Sequence, residues 1–137
     1  MSGSTTRTII SRFTSQEGLC VYCDVNLTEK NATMDHVIPR SWGGNTGGIM
    51  NTVLACEQCN SFKSGLESHI TNQMGAHLGL IERAALFTLR CMKRPHGSTF
   101  RNRLRFSRMA EHVISAADEH HRQNHDSILG NHKEKYL

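Results

Sequence analysis

The sequence predicts an α+β fold: a small ββα core, one helix before it and a helical extension after it. Three observations lead to this prediction. Two β-prone segments flank a glycine-rich stretch, four of the five cysteines form two CxxC pairs, and the remaining chain has helical periodicity. The 137 residues suffice for one domain, and a hydrophobic share of 37% is low for a self-sufficient core. Something beyond apolar packing must therefore stabilise it.

The N-terminal segment, residues 1–18, should form a short helix. Ile9, Ile10 and Phe13 share one helical face, so we expect this face to lie on the core. Gly18 ends the helix. The segment is polar and lacks an apolar stretch of the kind found in secretory signals, so we expect a cytoplasmic protein, in the host cytoplasm if it is phage-encoded.

Residues 19–65 form the predicted core. The first strand covers residues 32–38 and is ended by Pro39, which has no amide hydrogen for a β-ladder. The return strand covers residues 52–55, and a helix begins at Cys56. Glycines between the strands permit the positive φ angles of a wide hairpin loop: Gly43, Gly44, Gly47 and Gly48.

Residues 66–121 should form a basic helical extension, followed by a polar tail, 122–137, that frays. A first helix is predicted over residues 78–94, because apolar residues recur there at helical steps: Leu78, Ile81, Ala85 and Leu89. A second helix over residues 100–121 buries a similar series: Leu104, Phe106, Met109, Ala110, Val113 and Ala117.

The two CxxC pairs, Cys20/Cys23 and Cys56/Cys59, indicate a structural zinc site. In a reducing compartment, paired CxxC motifs bind zinc more often than they form disulfides. The gap between the pairs is long enough to hold the predicted hairpin. Buried free cysteines are the alternative, and a thioredoxin-like redox role lacks the βαβ pattern it needs. Cys91 is expected to be an apolar core residue.

The formal net charge of +4 is unevenly distributed, since residues 83–108 hold eight basic and no acidic residues. A solvated helix surface usually mixes signs, so we favour a surface that tracks the phosphates of a nucleic acid. The basic residues concerned are Arg83, Arg90, Lys93, Arg94, Arg101, Arg103, Arg105 and Arg108.

Asp35 and His36 stand side by side near the end of the first strand, and Asn60 lies on the following helix. Histidine suits a general base at neutral pH, and carboxylate and amide oxygens suit a hard divalent cation. Neighbouring strand residues point to opposite faces, which would divide the labour between Asp35 and His36. Taken alone, the pair could simply cap a strand end.

The order of these residues resembles the HNH endonuclease family of the ββα-metal superfamily, in its zinc-stabilised branch with an H-N-N pattern. The resemblance covers residues 19–63 and rests on these positions: Cys20, Cys23, Asp35, His36, Pro39, Gly43, Gly44, Asn51, Cys56, Cys59, Asn60 and Lys63. It implies a ββα-metal fold and cleavage that leaves a 5′-phosphate and a 3′-hydroxyl.

The resemblance implies a role for each matching residue. His36 would be the general base, and Asp35 and Asn60 would hold one catalytic Mg²⁺ or Mn²⁺. Asn51 would brace the loop and orient His36, and Lys63 would approach a phosphate. The four cysteines would hold the structural zinc.

Other residues allow two interpretations each. Arg40 and Trp42 could contact DNA, or Trp42 could cover the hairpin. His120, His121 and His125 could form a second metal site, but a solvated polar helix end is the commoner explanation.

The sequence thus predicts a metal-dependent endonuclease acting on DNA, most simply double-stranded. Its protein partner would be a second copy of the chain, in a homodimer, or a phage-type partner protein. The alternatives are a zinc-stabilised DNA-binding module without catalysis, which has no need for Asp35, His36 and Asn60 together, and a protein-interaction module, which leaves the basic run unexplained.

Overall fold

A computed structural model describes residues 3–44, 51–74, 78–93 and 99–136, with side chains for 6–44, 51–73, 78–93 and 99–123. Its elements, in chain order, are four α-helices, two strands and two short helical turns: α1 (Gly3–Ser15), β1 (Ala32–His36), a 3₁₀ turn (Arg40–Trp42), β2 (Thr52–Cys56), α2 (Glu57–His69), a π-helical turn (Ile70–Met74), α3 (Leu80–Lys93) and α4 (Phe100–Tyr136). None of the described helices combines the length and apolar character of a membrane span.

The two strands pair antiparallel in a regular register, from Ala32 opposite Cys56 to His36 opposite Thr52. Helix α2 follows β2 directly, with Cys56 as its N-cap, whose sulfur accepts the amide of Cys59. This is the ββα unit that the sequence predicts. The glycine pair Gly47 and Gly48 lies outside the described residues.

Helix α1 reaches the core through fewer residues than predicted. Ile9 packs against the core, whereas Ile10 is 61% and Phe13 45% exposed. The polar Gln16 makes the firmer attachment, because its side-chain amide donates to the carbonyl oxygen of Leu54 at 2.8 Å and accepts the Leu54 amide at 2.9 Å. Gln16 thus completes the outer edge of β2 where a third strand would lie.

Helix α3 buries a different face from the one predicted. Its buried residues are Ala84, Phe87 and Cys91, while Ile81 and Leu89 are exposed. The rings of Phe87 and Trp42 pack in a T-shaped arrangement, with centroids 6.4 Å apart, and this contact selects the buried face. Burial of Cys91 confirms its assignment to the core.

Helix α4 packs along α3 and buries Phe106, Met109, Val113 and Ala117. It continues to Tyr136, beyond the point near residue 122 where the sequence predicted a fraying tail. A single glycine inside a helix costs only about 1 kcal/mol, so Gly130 does not end it.

Candidate active site and zinc centre

The four CxxC cysteines come together as predicted. Their sulfur atoms all lie within 4.8 Å of one another, and all four side chains are buried. The Sγ atoms of Cys23 and Cys56 are 3.7 Å apart, close to the ~3.8 Å edge of a tetrahedron with Zn–S bonds of about 2.3 Å. Backbone amides of Tyr22 and Cys56 donate to the sulfur of Cys20 at 3.4 and 3.2 Å. Donor type, spacing and burial therefore fit a structural zinc ion.

The thiols of Cys20, Cys56 and Cys59 differ in pKa. A hydrogen bond from Cys59 lowers the pKa of Cys20 to about 4, and backbone amides act in the same direction against burial. The same hydrogen bond, with burial, raises the pKa of Cys59 well above its usual range. Burial likewise raises the pKa of Cys56. A divalent cation at this position would replace these protons and favour four thiolates.

Basic residues of α4 face this cysteine cluster at successive helical turns. Arg101 donates to the backbone oxygen of Cys23 at 3.4 Å, and Arg108 pairs with Asp24. Between them Arg105 donates to the sulfur of Cys59 at 3.0 Å. Arg105 is only 2% exposed, so its side chain faces the protein interior, and its contact with nucleic acid stays a prediction.

Asp35 lies in a buried polar network on the α2 side of β1. It is 5% exposed, and its carboxylate accepts the Tyr22 hydroxyl at 2.6 Å and the Lys63 ammonium at 3.3 Å. Burial and the neighbouring Asp35 carboxylate hold the pKa of Tyr22 well above its usual range, so this hydroxyl remains a donor. The ring of Tyr22 in turn packs in a T-shaped arrangement with His112 on α4. Burial lowers the pKa of His112.

Lys63 is fully buried at the centre of the same network. Besides Asp35, its ammonium donates to the backbone oxygens of His36 and Val37, each at 3.0 Å, and to Glu67 at 2.7 Å. With four acceptors and no exposure, the ammonium is directed into the protein in this structure. The predicted phosphate contact of Lys63 stays a prediction, and the contact that the structure shows is with the backbone beside His36.

Glu67 is the acidic partner of Lys63 one turn along α2. Burial raises the pKa of Glu67 to about 7, although Lys63 acts in the opposite direction. The sequence prediction does not include Glu67, although its i,i+4 spacing from Lys63 indicates a pair. Tyr22 was missed too, because no local pattern connects it to Asp35.

Asn51 clamps the end of β1. Its side chain accepts the amide of Ile38 at 2.8 Å and donates to the Ile38 carbonyl at 3.0 Å, while its own carbonyl accepts the amide of Val37 at 2.8 Å. Gly44 packs against this clamp so closely that a Cβ atom would lie 2.0 Å from the Ile38 oxygen. The second glycine of the Gly43–Gly44 pair thus has to be glycine for lack of space.

Asn60 lies over the same face of β1 as Asp35. Its amide donates to the Thr33 hydroxyl at 3.0 Å, and Thr33 and Asp35 are two residues apart on the strand. His36 is partly buried and, one residue later in an unbroken register, points to the opposite face. The structure thus places Asp35 and Asn60 on one side of β1 and His36 on the other.

The remaining candidates divide by exposure. Arg40, Lys93, Arg101 and Arg103 are exposed, and Arg90 is partly buried. Trp42 covers the hairpin, since it is 5% exposed and its indole donates to Thr71 at 2.8 Å. Arg94 and the side chain of His125 lie outside the described residues. Among the described side chains, the four cysteines are the only group of three or more His, Cys, Asp or Glu close enough to share a metal.

A zinc-type cysteine cluster joined to a ββα unit defines the class of the core. Comparison with known proteins agrees: the family model described as HNH endonuclease matches residues 20–75. Residues 20–75 are thus of the HNH endonuclease type, which confirms the resemblance stated from the sequence.

Two known proteins are similar to the chain over small parts of their own length. The CRISPR-associated endonuclease Cas9 of Corynebacterium diphtheriae is 35% identical over 66 residues, which is 46% of this chain and 6% of the relative. The crystal structure of the Type II-C Cas9 enzyme from Actinomyces naeslundii has a TM-score of 0.40 and 20% identity, over 80% of this chain and 11% of that one.

Proposed function

We propose that this chain is a metal-dependent endonuclease that hydrolyses DNA phosphodiester bonds, with His36 as the general base. One observation carries the proposal: the backbone around His36 is held from two sides while its side chain stays partly exposed. Lys63 binds the His36 carbonyl, and Asn51 binds the amide of Val37. A general base must be held in place and still reach water, and His36 meets both conditions.

Asp35 and Asn60 are the proposed ligands of a divalent cation, Mg²⁺ or Mn²⁺. A carboxylate and an amide oxygen are hard donors of the type these ions prefer, and Mg²⁺ usually keeps several waters beside one or two protein ligands. When bound, the cation would stabilise charge on the phosphate and on the leaving oxygen. Asp35 already accepts two hydrogen bonds, which orient its carboxylate and leave further lone pairs for a cation.

Asn51 and Lys63 are proposed as positioning residues. Neither side chain is free to meet a substrate, because Asn51 is committed to Ile38 and Lys63 to four acceptors. The exposed basic residues Arg40, Lys93, Arg101 and Arg103 remain the candidates for phosphate contacts.

Cleavage of supercoiled plasmid by the zinc-loaded chain tests the proposal. We expect nicked or linear product with Mg²⁺ or Mn²⁺, none with EDTA, and at least a 100-fold lower rate for His36→Ala, in line with general-base catalysis. The control His121→Ala, which changes an exposed histidine on α4, should cleave normally.

Circular dichroism and zinc content must be unchanged in His36→Ala for its result to count. If neither the native chain nor the control cleaves with either metal, yet both bind DNA in a salt-sensitive manner, the zinc-stabilised binding module is the better assignment. If His36→Ala cleaves as fast as the native chain, His36 is not the base.

A further inference from the structure

Arg105 is an unusual residue for the position it occupies. Its side chain is 2% exposed, so the guanidinium is removed from water and needs partners in the protein. Its Nε donates to the sulfur of Cys59 at 3.0 Å, and its terminal nitrogens donate to Asn102 at 2.8 Å and Gln58 at 3.3 Å. The Phe62 ring lies under the guanidinium, 5.1 Å from its carbon. All three nitrogens are therefore held in one orientation, with Nε aimed at the cysteine cluster.

Among the residues that the structure describes, none provides a carboxylate partner for the charge of Arg105. None of the ion pairs between carboxylates and basic side chains in the described part of the chain involves Arg105. Two of its hydrogen-bond partners are neutral amides. The cysteine sulfur is the partner that becomes anionic, since four thiolates around Zn²⁺ carry a net charge of −2. A buried cation beside a buried dianion lowers the cost of removing both from water.

We propose that Arg105 is a positioning residue for the zinc centre: it partly neutralises the zinc–thiolate cluster, slows the loss of zinc and protects the thiolates from electrophiles. The hydrogen bond to Cys59 withdraws electron density from that sulfur and occupies one approach to it. Partners that hold a metal ligand in this way typically affect metal affinity 10- to 100-fold. Because Arg105 belongs to α4, the same contact links the zinc centre to the docking of the C-terminal helices.

The neighbouring arginines of α4 show that the contact with sulfur is specific to Arg105. Arg101 reaches the backbone oxygen of Cys23, and Arg108 pairs with Asp24. Both lie one helical turn from Arg105 and contact the chain at Cys23 and Asp24, yet neither hydrogen bond is to a sulfur atom. Arg101→Met is thus a matched control that removes an equal charge from the same helix face.

The test measures zinc loss and cysteine reactivity in the full zinc-loaded chain, without reference to cleavage. Zinc release is followed with the chromogenic chelator PAR, and alkylation of the cysteines by N-ethylmaleimide is followed by mass spectrometry. We expect Arg105→Met to release zinc at least 10-fold faster and to be alkylated faster at Cys59, and Arg101→Met to stay within about 2-fold of the native chain. Equal release rates for the native chain and Arg105→Met would overturn the proposal.

A second pair of variants keeps the proposal testable if Arg105→Met does not fold. Arg105→Lys keeps the positive charge and Arg105→Gln keeps only polarity, so the proposal requires slower zinc release from the lysine variant than from the glutamine variant. The same release rate from both would show that packing, and not charge, explains the position, and would overturn the proposal. These readouts are independent of DNA cleavage, so a failed nuclease assay leaves them unaffected.

Discussion

The sequence predicts that Lys63 approaches a phosphate, whereas the structure buries it in a polar network. The substitution Lys63→Met distinguishes these two roles. Methionine keeps most of the length of the side chain and removes the ammonium. Asp35 then keeps the Tyr22 hydroxyl but loses its buried countercharge, and two backbone oxygens lose a donor. Removing one partner of a buried ion pair typically costs about 3–5 kcal/mol.

We expect Lys63→Met to lower the free energy of unfolding by about 3–5 kcal/mol. With a urea m-value of about 2 kcal/mol/M, the midpoint should fall by roughly 2 M. The fluorescence of Trp42 suits the measurement, because it is the only tryptophan of the chain and is buried. The matched control is Lys93→Met, which changes an exposed lysine and should stay within about 0.5 kcal/mol of the native chain.

A double-mutant cycle tests whether Lys63 and Asp35 stabilise each other directly. If Lys63 and Asp35 stabilise each other, Lys63→Met combined with Asp35→Asn should cost at least about 1 kcal/mol less than the sum of the single changes. A cost below about 1 kcal/mol for Lys63→Met, together with weaker DNA binding, would instead show a solvent-facing phosphate contact and refute the buried network.

Three further changes follow from the same structure. Cys56→Ser should remove tight zinc binding and with it stability on the order of 10 kcal/mol, seen as loss of helical circular dichroism, whereas Cys91→Ala should keep its zinc. Gly44→Ala should cost more than about 3 kcal/mol in thermal unfolding, since its Cβ meets a backbone oxygen, while Gly65→Ala, with nothing within 4 Å, should gain up to about 1 kcal/mol. Because folding raises the pKa of Glu67 from 4.5 to about 7, the native chain should lose stability relative to Glu67→Gln as pH rises from about 5 to 7, and a constant difference in urea unfolding would contradict this.

The core could be predicted from the sequence because its chemistry is local. Two CxxC pairs fix the zinc ligands, the β-prone segments fix the hairpin, and the acidic residue beside His36 marks the strand end. Each of these is a short pattern whose meaning does not depend on the rest of the chain. The metal-type cluster and the ββα order follow directly from them.

The contacts between elements could not be predicted in the same way. Helix α3 carries apolar residues on more than one face, and periodicity alone favoured the face of Ile81 and Leu89. The buried face contains Phe87, because the Trp42 ring lies beside it. Likewise, nothing near Asp35 in the sequence indicates that Tyr22 and Glu67 complete its network.

The basic run shows that a count of charges does not identify the partner of each charged residue. The formal net charge of +4 treats the thiols as neutral, and a zinc ion bound by four thiolates would contribute −2 and leave +2. Part of the positive charge of α4 would then have an anionic partner inside the protein. Arg105 faces that partner, and Arg103, two residues away on the helix, is exposed.

Arg103 and Arg105 should differ in their effect on the salt dependence of DNA affinity. The logarithm of the binding constant falls with the logarithm of salt concentration by about 0.9 for each phosphate neutralised. Arg103→Ala should therefore reduce that slope by about 0.9 if Arg103 contacts a phosphate. Arg105→Met should leave the slope unchanged, because its guanidinium does not reach solvent. The slope is measured by fluorescence anisotropy on zinc-loaded protein. A reduced slope for Arg105→Met would mean that the positive charge of α4 contributes more to DNA binding than to the zinc centre.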